Sequence, residues 1–311
     1  MTWTRAFVEW WFRPFPRGRV AALRLAVYLF VFVDVLLTNA WVFDHAALPV
    51  DFYQPLFIGR LLPLPVPGPA LVPVVAVLLL GSAAVAAAGR LPRVAGAAVF
   101  LLYFEWMVIA MSYGKVDHDR FAFLVALAVL PTVGRTRLGD RQGDERSGWA
   151  VRAIQVAVVL TYFLSVFAKL RFGGLEWLNG ATLVRAVLRR GTFVSEPLLD
   201  YPWVLQAAQY GIVLFEALSP LLLVGGKIGR RFLWGAVVFH AVTFATISII
   251  FLPHVVCLLA FVPLERFTPS GRRRMQPVQS PPGLESRGHR SRKGLSVQCG
   301  YPSARESRPV V

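Results

Sequence analysis

Cysteine is almost missing from this sequence of 311 residues: Cys257 lies in an apolar run and Cys299 in a polar tail. Neither a disulfide framework nor a cysteine metal site has a basis in that pair. Acid is scarce beside base, with 17 Asp and Glu against 33 Lys and Arg and a formal net charge of +16. Lysine supplies little of that excess, being confined to Lys115, Lys169, Lys227 and Lys293. There is no Gly-rich phosphate loop, no Ser-His-Asp arrangement and no Cys cluster, so nucleotide-binding and acyl-enzyme chemistry have no footing. What the chain has in abundance is apolar residue, 56% of the total with 13% aromatic and a mean hydropathy of +0.57.

That composition excludes an ordinary soluble domain. Apolar runs near the length needed to cross a hydrocarbon core of about 30 Å recur along the chain. The expected fold is an all-α integral membrane protein, a polytopic bundle of about eight transmembrane helices. Spans are expected at 20–41, 71–88, 94–111, 121–133, 149–170 and 204–224. A long apolar stretch at 232–262 is expected to divide at Leu252-Pro253 into a seventh and a short eighth span. The run at 121–133 is brief for a crossing, which implies shielding by protein. Gly81-Ser82-Ala83-Ala84 and Ala86-Ala87-Ala88-Gly89 supply small residues for close helix approach.

Three domains follow. Residues 1–19 mix arginine with tryptophan and phenylalanine and suit a helix lying in the interface. Residues 20–266 make the bundle. Residues 267–311, rich in Pro, Ser, Gly and Arg, are expected to be a disordered cytosolic tail. Arginine is concentrated in 5–19, 90–93, 135–146, 227–231 and the tail, which places both termini in the cytosol of a cell-membrane protein. Basic residues between apolar spans point to the lipid bilayer and its anionic lipids as partners, and away from nucleic acid.

The polar residues inside the spans are the candidates for chemistry, because ionisable groups in the bilayer are costly. Arg152, Gln155, Tyr162, Ser165 and Lys169 recur at helical spacing and share one face of the fifth span. Gln206, Gln209 and Glu216 share a face of the sixth, and His240 and Thr243 lie one turn apart on the seventh. Such faces pair with one another, and Glu216 is placed to compensate Lys169 or Arg152. Lys169 matters because an amine, unlike a guanidinium, can give up its proton and act as a base. The plainer readings are a Lys169 that snorkels to the headgroups and polar residues that only hold helices together. His118 stands between Asp117 and Asp119, whose charges are expected to raise its pKa. A metal there lacks supporting ligand spacing. His254, after Pro253, reads by default as a helix-start or interfacial histidine.

These residues carry a resemblance. Tyr162-Phe163…Ala168-Lys169-Leu170…Trp177…Gly180, the aspartate-flanked His118, Phe215-Glu216 and Val238-Phe239-His240…Ile250-Phe251 resemble the bacterial HTTM proteins over roughly residues 20–265. The same pattern occurs in the membrane part of vitamin K-dependent gamma-carboxylases. The resemblance implies a helical bundle around a site open to the non-cytosolic face. It implies Lys169 as the base that deprotonates a quinol such as vitamin K hydroquinone, with His118 and His240 at the site. Glu216, Tyr162, Ser165 and Trp177 would line the substrate pocket. The carboxylase has two lysines in a row where this chain has one, and it continues into a lumenal domain that holds its protein substrate. The expected substrate is therefore a quinol or other lipophilic small molecule rather than a protein glutamate. A membrane scaffold or small-molecule carrier is the alternative, and its sign would be a closed site with Lys169 paired to Glu216.

Overall fold

A computed structural model describes residues 3–268, and the tail expected to be disordered, 267–311, lies outside the described residues from 269 onward. The described chain is mostly helical, with one antiparallel ladder of two residues per strand. In chain order it forms α1 (Trp3–Trp11), β1 (Phe15–Pro16), α2 (Arg17–Val33), α3 (Phe57–Leu61), α4 (Leu71–Ala87), α5 (Val94–Met111) and α6 (Phe121–Val129). Then come β2 (Gly143–Asp144), α7 (Glu145–Gly173), α8 (Ala181–Arg190), α9 (Pro202–Ala217), α10 (Leu221–Val224), α11 (Gly226–Ile247) and α12 (Leu252–Cys257).

Among the described residues, three helices are long and apolar enough to cross a membrane: Arg17–Thr38, Val94–Met111 and Glu145–Gly173. Leu71–Ala87 and Leu252–Phe261 are shorter apolar helices. The expected sixth span is not continuous. α9 stops at Ala217, and Pro220, which lacks an N–H and disfavours helix in the residue before it, separates it from α10. The break in the last apolar stretch falls before the Leu252-Pro253 step rather than at it. Ser248 takes a left-handed conformation (φ 53°), and Pro253 then sits comfortably in the first turn of α12.

The core forms where apolar side chains recur at helical spacing. Val20, Leu23, Val27 and Val31 of α2 are fully buried, as are Val151, Ile154 and Val158 of α7. α4 packs between α2 and α5, and α7 lies against α6 and α9. Ala76, Ala83 and Ala86 are the small residues buried at the α4 contacts, while Gly81 faces open space. The short α6 is shielded as its length implied: Phe123, Ala126 and Leu127 are fully buried, and a 3-10 turn, Leu130–Val133, extends it. Its terminal carbonyls are satisfied by Arg24 of α2, which donates to Gly134 O at 2.5 Å and to Leu130 O.

The start of α7 is fastened twice. Asp144 accepts from the Ser147 N–H at 3.0 Å as an N-cap. Gly148 lies so close to the Arg13 carbonyl that a Cβ would collide with it, so only glycine lets the segment before β1 pass there. α1 buries no residue, and its Trp10 ring lies 4.5 Å beneath the Arg152 guanidinium of α7. At the other end of the described chain, Glu265 accepts two hydrogen bonds from Arg19, each 2.9 Å.

A buried charged network sits where α2 ends. Residues Asp34–Thr38 wind as a π-helix, with the Asn39 N–H donating to Asp34 O at 2.7 Å. The Asp34 carboxylate, fully buried, accepts from Tyr103 Oη (2.7 Å), Asn39 Nδ2 (2.9 Å), Thr38 Oγ1 (2.5 Å) and Arg120 Nη2 (3.3 Å). Arg120 also faces Asp117 and Asp119, each at 3.2 Å. Three carboxylates thus share one guanidinium.

The excess of negative charge has a consequence in the turn before α6. Burial pushes the Asp119 carboxyl up to about 6; the charges of Asp117 and Asp34 add to the rise, and Arg120 opposes it. A carboxyl that holds its proton more tightly when folded contributes stability at low pH and loses it as pH rises through that value. Thermal stability of the purified protein should therefore fall by a few degrees between about pH 4 and pH 6 and level off above that. Asp119→Asn, neutral at every pH, should remove that fall in a melting series.

Candidate functional site

The polar face of α7 meets the polar faces of α9 and α11 as the helical spacing predicted. Lys169 Nζ donates to Ser165 Oγ at 2.6 Å and to Glu216 at 2.7 Å (Oε1) and 2.5 Å (Oε2). Ser165 Oγ is 3.3 Å from the same carboxylate. The Glu216 side chain is only 8% exposed and that of Lys169 18%, so the pair is held largely out of solvent. Trp177, in the 3-10 turn after α7, presents its ring 5.3 Å from Lys169 Nζ. As an ammonium group the Lys169 head has its donors directed at Ser165 and both Glu216 oxygens, and it does not snorkel outward.

Two turns back along α7, Tyr162 forms the second half of the cluster. Its hydroxyl lies 2.7 Å from His240 Nε2 of α11, and its ring meets Phe215 edge-on at 5.7 Å. His254 of α12 sits 4.5 Å from the Tyr162 ring and 5.5 Å from the His240 ring, measured between centroids. His254 is 2% exposed. Among the described residues neither of its ring nitrogens has a hydrogen-bond partner, nor does His240 Nδ1.

His118 joins the two halves from the loop side. It lies within electrostatic range of Lys169 and Glu216, and its ring centroid is 6.2 Å from Phe251, which is in turn 5.6 Å from His240. Its pKa is lowered, contrary to the expectation from its flanking aspartates. Part of the ring stays accessible, but the surrounding protein bulk disfavours the cation, and the Lys169 charge adds to this. Together these outweigh the opposing Glu216 and Asp117.

All the predicted site residues thus gather in one region: Lys169, Glu216, Ser165 and Trp177 at one pole, Tyr162 and His240 at the other, His118 beside both. Among the described residues no hydrogen bond joins His118 or His240 to Lys169. Other polar residues of these faces are structural. Gln155 bridges Arg152 and the Ala260 carbonyl, and Gln209, fully buried, accepts from the Leu183 N–H and donates to Trp177 O. The residue missed from sequence is His254. The signal for it was the proline-marked interruption of a long apolar stretch, which turns the chain back toward α7.

Among the described residues no group of His, Cys, Asp and Glu is arranged to hold a metal ion. Compared with protein-family models, curated proteins and solved structures, the chain matches none.

Proposed function

We propose that this chain is a multi-pass membrane enzyme of the HTTM kind, both termini cytosolic, in which the Lys169–Glu216 pair takes a proton from a quinol or other lipophilic phenol. The observation that supports this reading is the convergence of Lys169 and Tyr162 of α7, Glu216, His240 and His118, drawn from four separated stretches, on one region among apolar helices. About eight crossings would be needed, the five apolar helices being joined by α6, α9–α10 and α11 packed among them.

The residues fit such a ligand. Among the described residues His240 Nδ1 and both His254 nitrogens are buried without partners, and a ligand hydroxyl that reached any of them would relieve an expensive arrangement. Phe215 and Phe239 stack at 4.8 Å beside Tyr162 and offer a flat apolar wall. A quinol supplies an acidic phenolic O–H and, after losing that proton, a reductant. Lys169 acts as base only after its own extra proton leaves. Nζ passes that proton to Glu216 Oε2 along the 2.5 Å contact, and the neutral amine then accepts the phenolic proton. The pair ends with both partners protonated, one positive charge balancing the anion formed. Tyr162 and His240, joined at 2.7 Å, orient the ring.

Purified protein in aerated micelles should bind vitamin K hydroquinone and speed its oxidation by dioxygen above the protein-free rate, the two electrons and two protons of the quinol passing to oxygen. Lys169→Arg should keep the charge pair with Glu216 and the fold, yet lower turnover by about 10²–10⁴-fold, the usual contribution of a general base. Full activity in that variant would remove the base assignment.

One observation favours a second reading, a membrane scaffold or small-molecule carrier. The Lys169 head is fully engaged by Ser165 and Glu216, an arrangement that holds α7 to α9 without any chemistry. Quinol binding with no consumption would select it.

A further inference from the structure

A groove of about 570 Å³ opens between the start of α8 and the start of α9. It belongs to none of the contacts of the Lys169 cluster. Its polar wall is Asn179, Arg185 and Gln206, and its apolar wall is Val184, Leu188 and Trp203. The groove contains one cation and no acid, and among the described residues Arg185 has no hydrogen bond or ion pair.

The walls are fixed by local geometry. Gly180 takes a left-handed conformation (φ 91°), and a Cβ there would stand 3.1 Å from Gln206 Cβ, so glycine lets α8 begin directly against α9. Asn179 Oδ1 accepts from the Ala181 N–H at 2.9 Å, and Gln209 Oε1 accepts from the Leu183 N–H, which together fasten the first turn of α8. Val187 is buried against Leu205 and Ile247, leaving Arg185, Leu188, Arg189 and Arg190 on the outer side.

The groove's setting points to its occupant. Trp203 in its wall and Tyr201, two positions earlier, are both exposed. Exposed aromatics with arginines among them are the composition of a helix end at headgroup depth, where the amphipathic rings sit between acyl chains and water. An open site there meets lipid before anything else. A lone unpaired guanidinium flanked by two amides matches a phosphate, while Val184, Leu188 and Trp203 continue the surface in the direction suited to an acyl chain.

We propose that this groove holds one anionic phospholipid, its headgroup phosphate against Arg185 and the amides of Asn179 and Gln206, its chain along Leu188 and Trp203. The site is independent of the proton chemistry assigned to Lys169. It is also distinct from the general attraction of the cytosolic arginines for lipid, since it lies at the C-terminal end of α7, the end away from the arginine-rich loop at 135–146.

Native mass spectrometry of the full chain in neutral detergent, titrated with phosphatidylglycerol or phosphatidylcholine, tests this. One phosphatidylglycerol should be retained at least fivefold more tightly than phosphatidylcholine, the preference expected from one basic side chain near a headgroup. Arg185→Gln should remove that preference. Leu188→Trp, a change at an exposed position that fills the groove, should weaken both lipids. Arg190→Gln, outside the groove, should leave the preference in place. Equal retention of the two lipids, or equal losses in the Arg185 and Arg190 variants, would overturn the proposal. So would displacement of the lipid by millimolar inorganic phosphate or by vitamin K hydroquinone. Should Arg185→Gln fail to elute as a single species, the Leu188→Trp titration decides alone.

Discussion

Glu216→Leu is expected to lower the stability of the bundle by about 3–5 kcal/mol, because it leaves a largely buried ammonium group without its counter-charge. Lys169→Met should cost a similar amount by stranding the carboxylate. The double variant Lys169→Met/Glu216→Leu should recover most of either loss, since two apolar side chains can fill the space without an uncompensated charge. Unfolding of the four proteins in the same micelle measures this directly, and the recovery is the coupling between the two side chains. Turnover of a quinol follows a different pattern. On the proposed proton-transfer role all three variants should fall by about 10²–10⁴-fold, because the accepting amine is absent from two of them and, in Glu216→Leu, has no carboxylate to take its extra proton. Restored stability together with restored activity in the double variant would show that the pair only braces α7 against α9.

The second large effect is expected at Asp34. Its carboxylate is fully buried and accepts hydrogen bonds from Tyr103, Asn39, Thr38 and Arg120. Asp34→Ala removes the acceptor for all of them and leaves an empty volume at the end of α2. A loss of about 3–5 kcal/mol follows from breaking a buried network of this kind. For a protein of this size that corresponds to a drop in melting temperature of about 5–8 °C. Asp34→Asn keeps the shape and one acceptor oxygen and should lose less than half as much. A melting curve for Asp34→Ala that matched the wild type would mean that Arg120 is satisfied by Asp117 and Asp119 alone.

The two regions differ in how far they could be read from the chain. The polar faces of α7 and α9 were legible because helical spacing puts Tyr162, Ser165 and Lys169 on one stripe and Gln209 and Glu216 on another. A costly amine in an apolar setting also demands an acid. The pairing of Asp34 with Arg120 was not legible: the partners are 86 positions apart, and Arg120 reads as the end of a charged loop. His254 escaped for a related reason, since its placement depends on where the last apolar stretch breaks. The left-handed Ser248 moves that break ahead of the proline. Helix boundaries for α4 and α5 followed apolar runs closely, whereas the interruption between α9 and α10 was hidden because the residues around Pro220 are as apolar as those in the helices.

The pair between Arg19 and Glu265 carries a consequence for biogenesis. The two residues are separated by 246 positions, so the first long helix must wait, through almost all of synthesis, for the carboxylate that will hold its N-terminal end. A ribosome-bound chain halted before residue 265 would already contain every helix of the cluster, yet lack the latch that joins its earliest and latest parts.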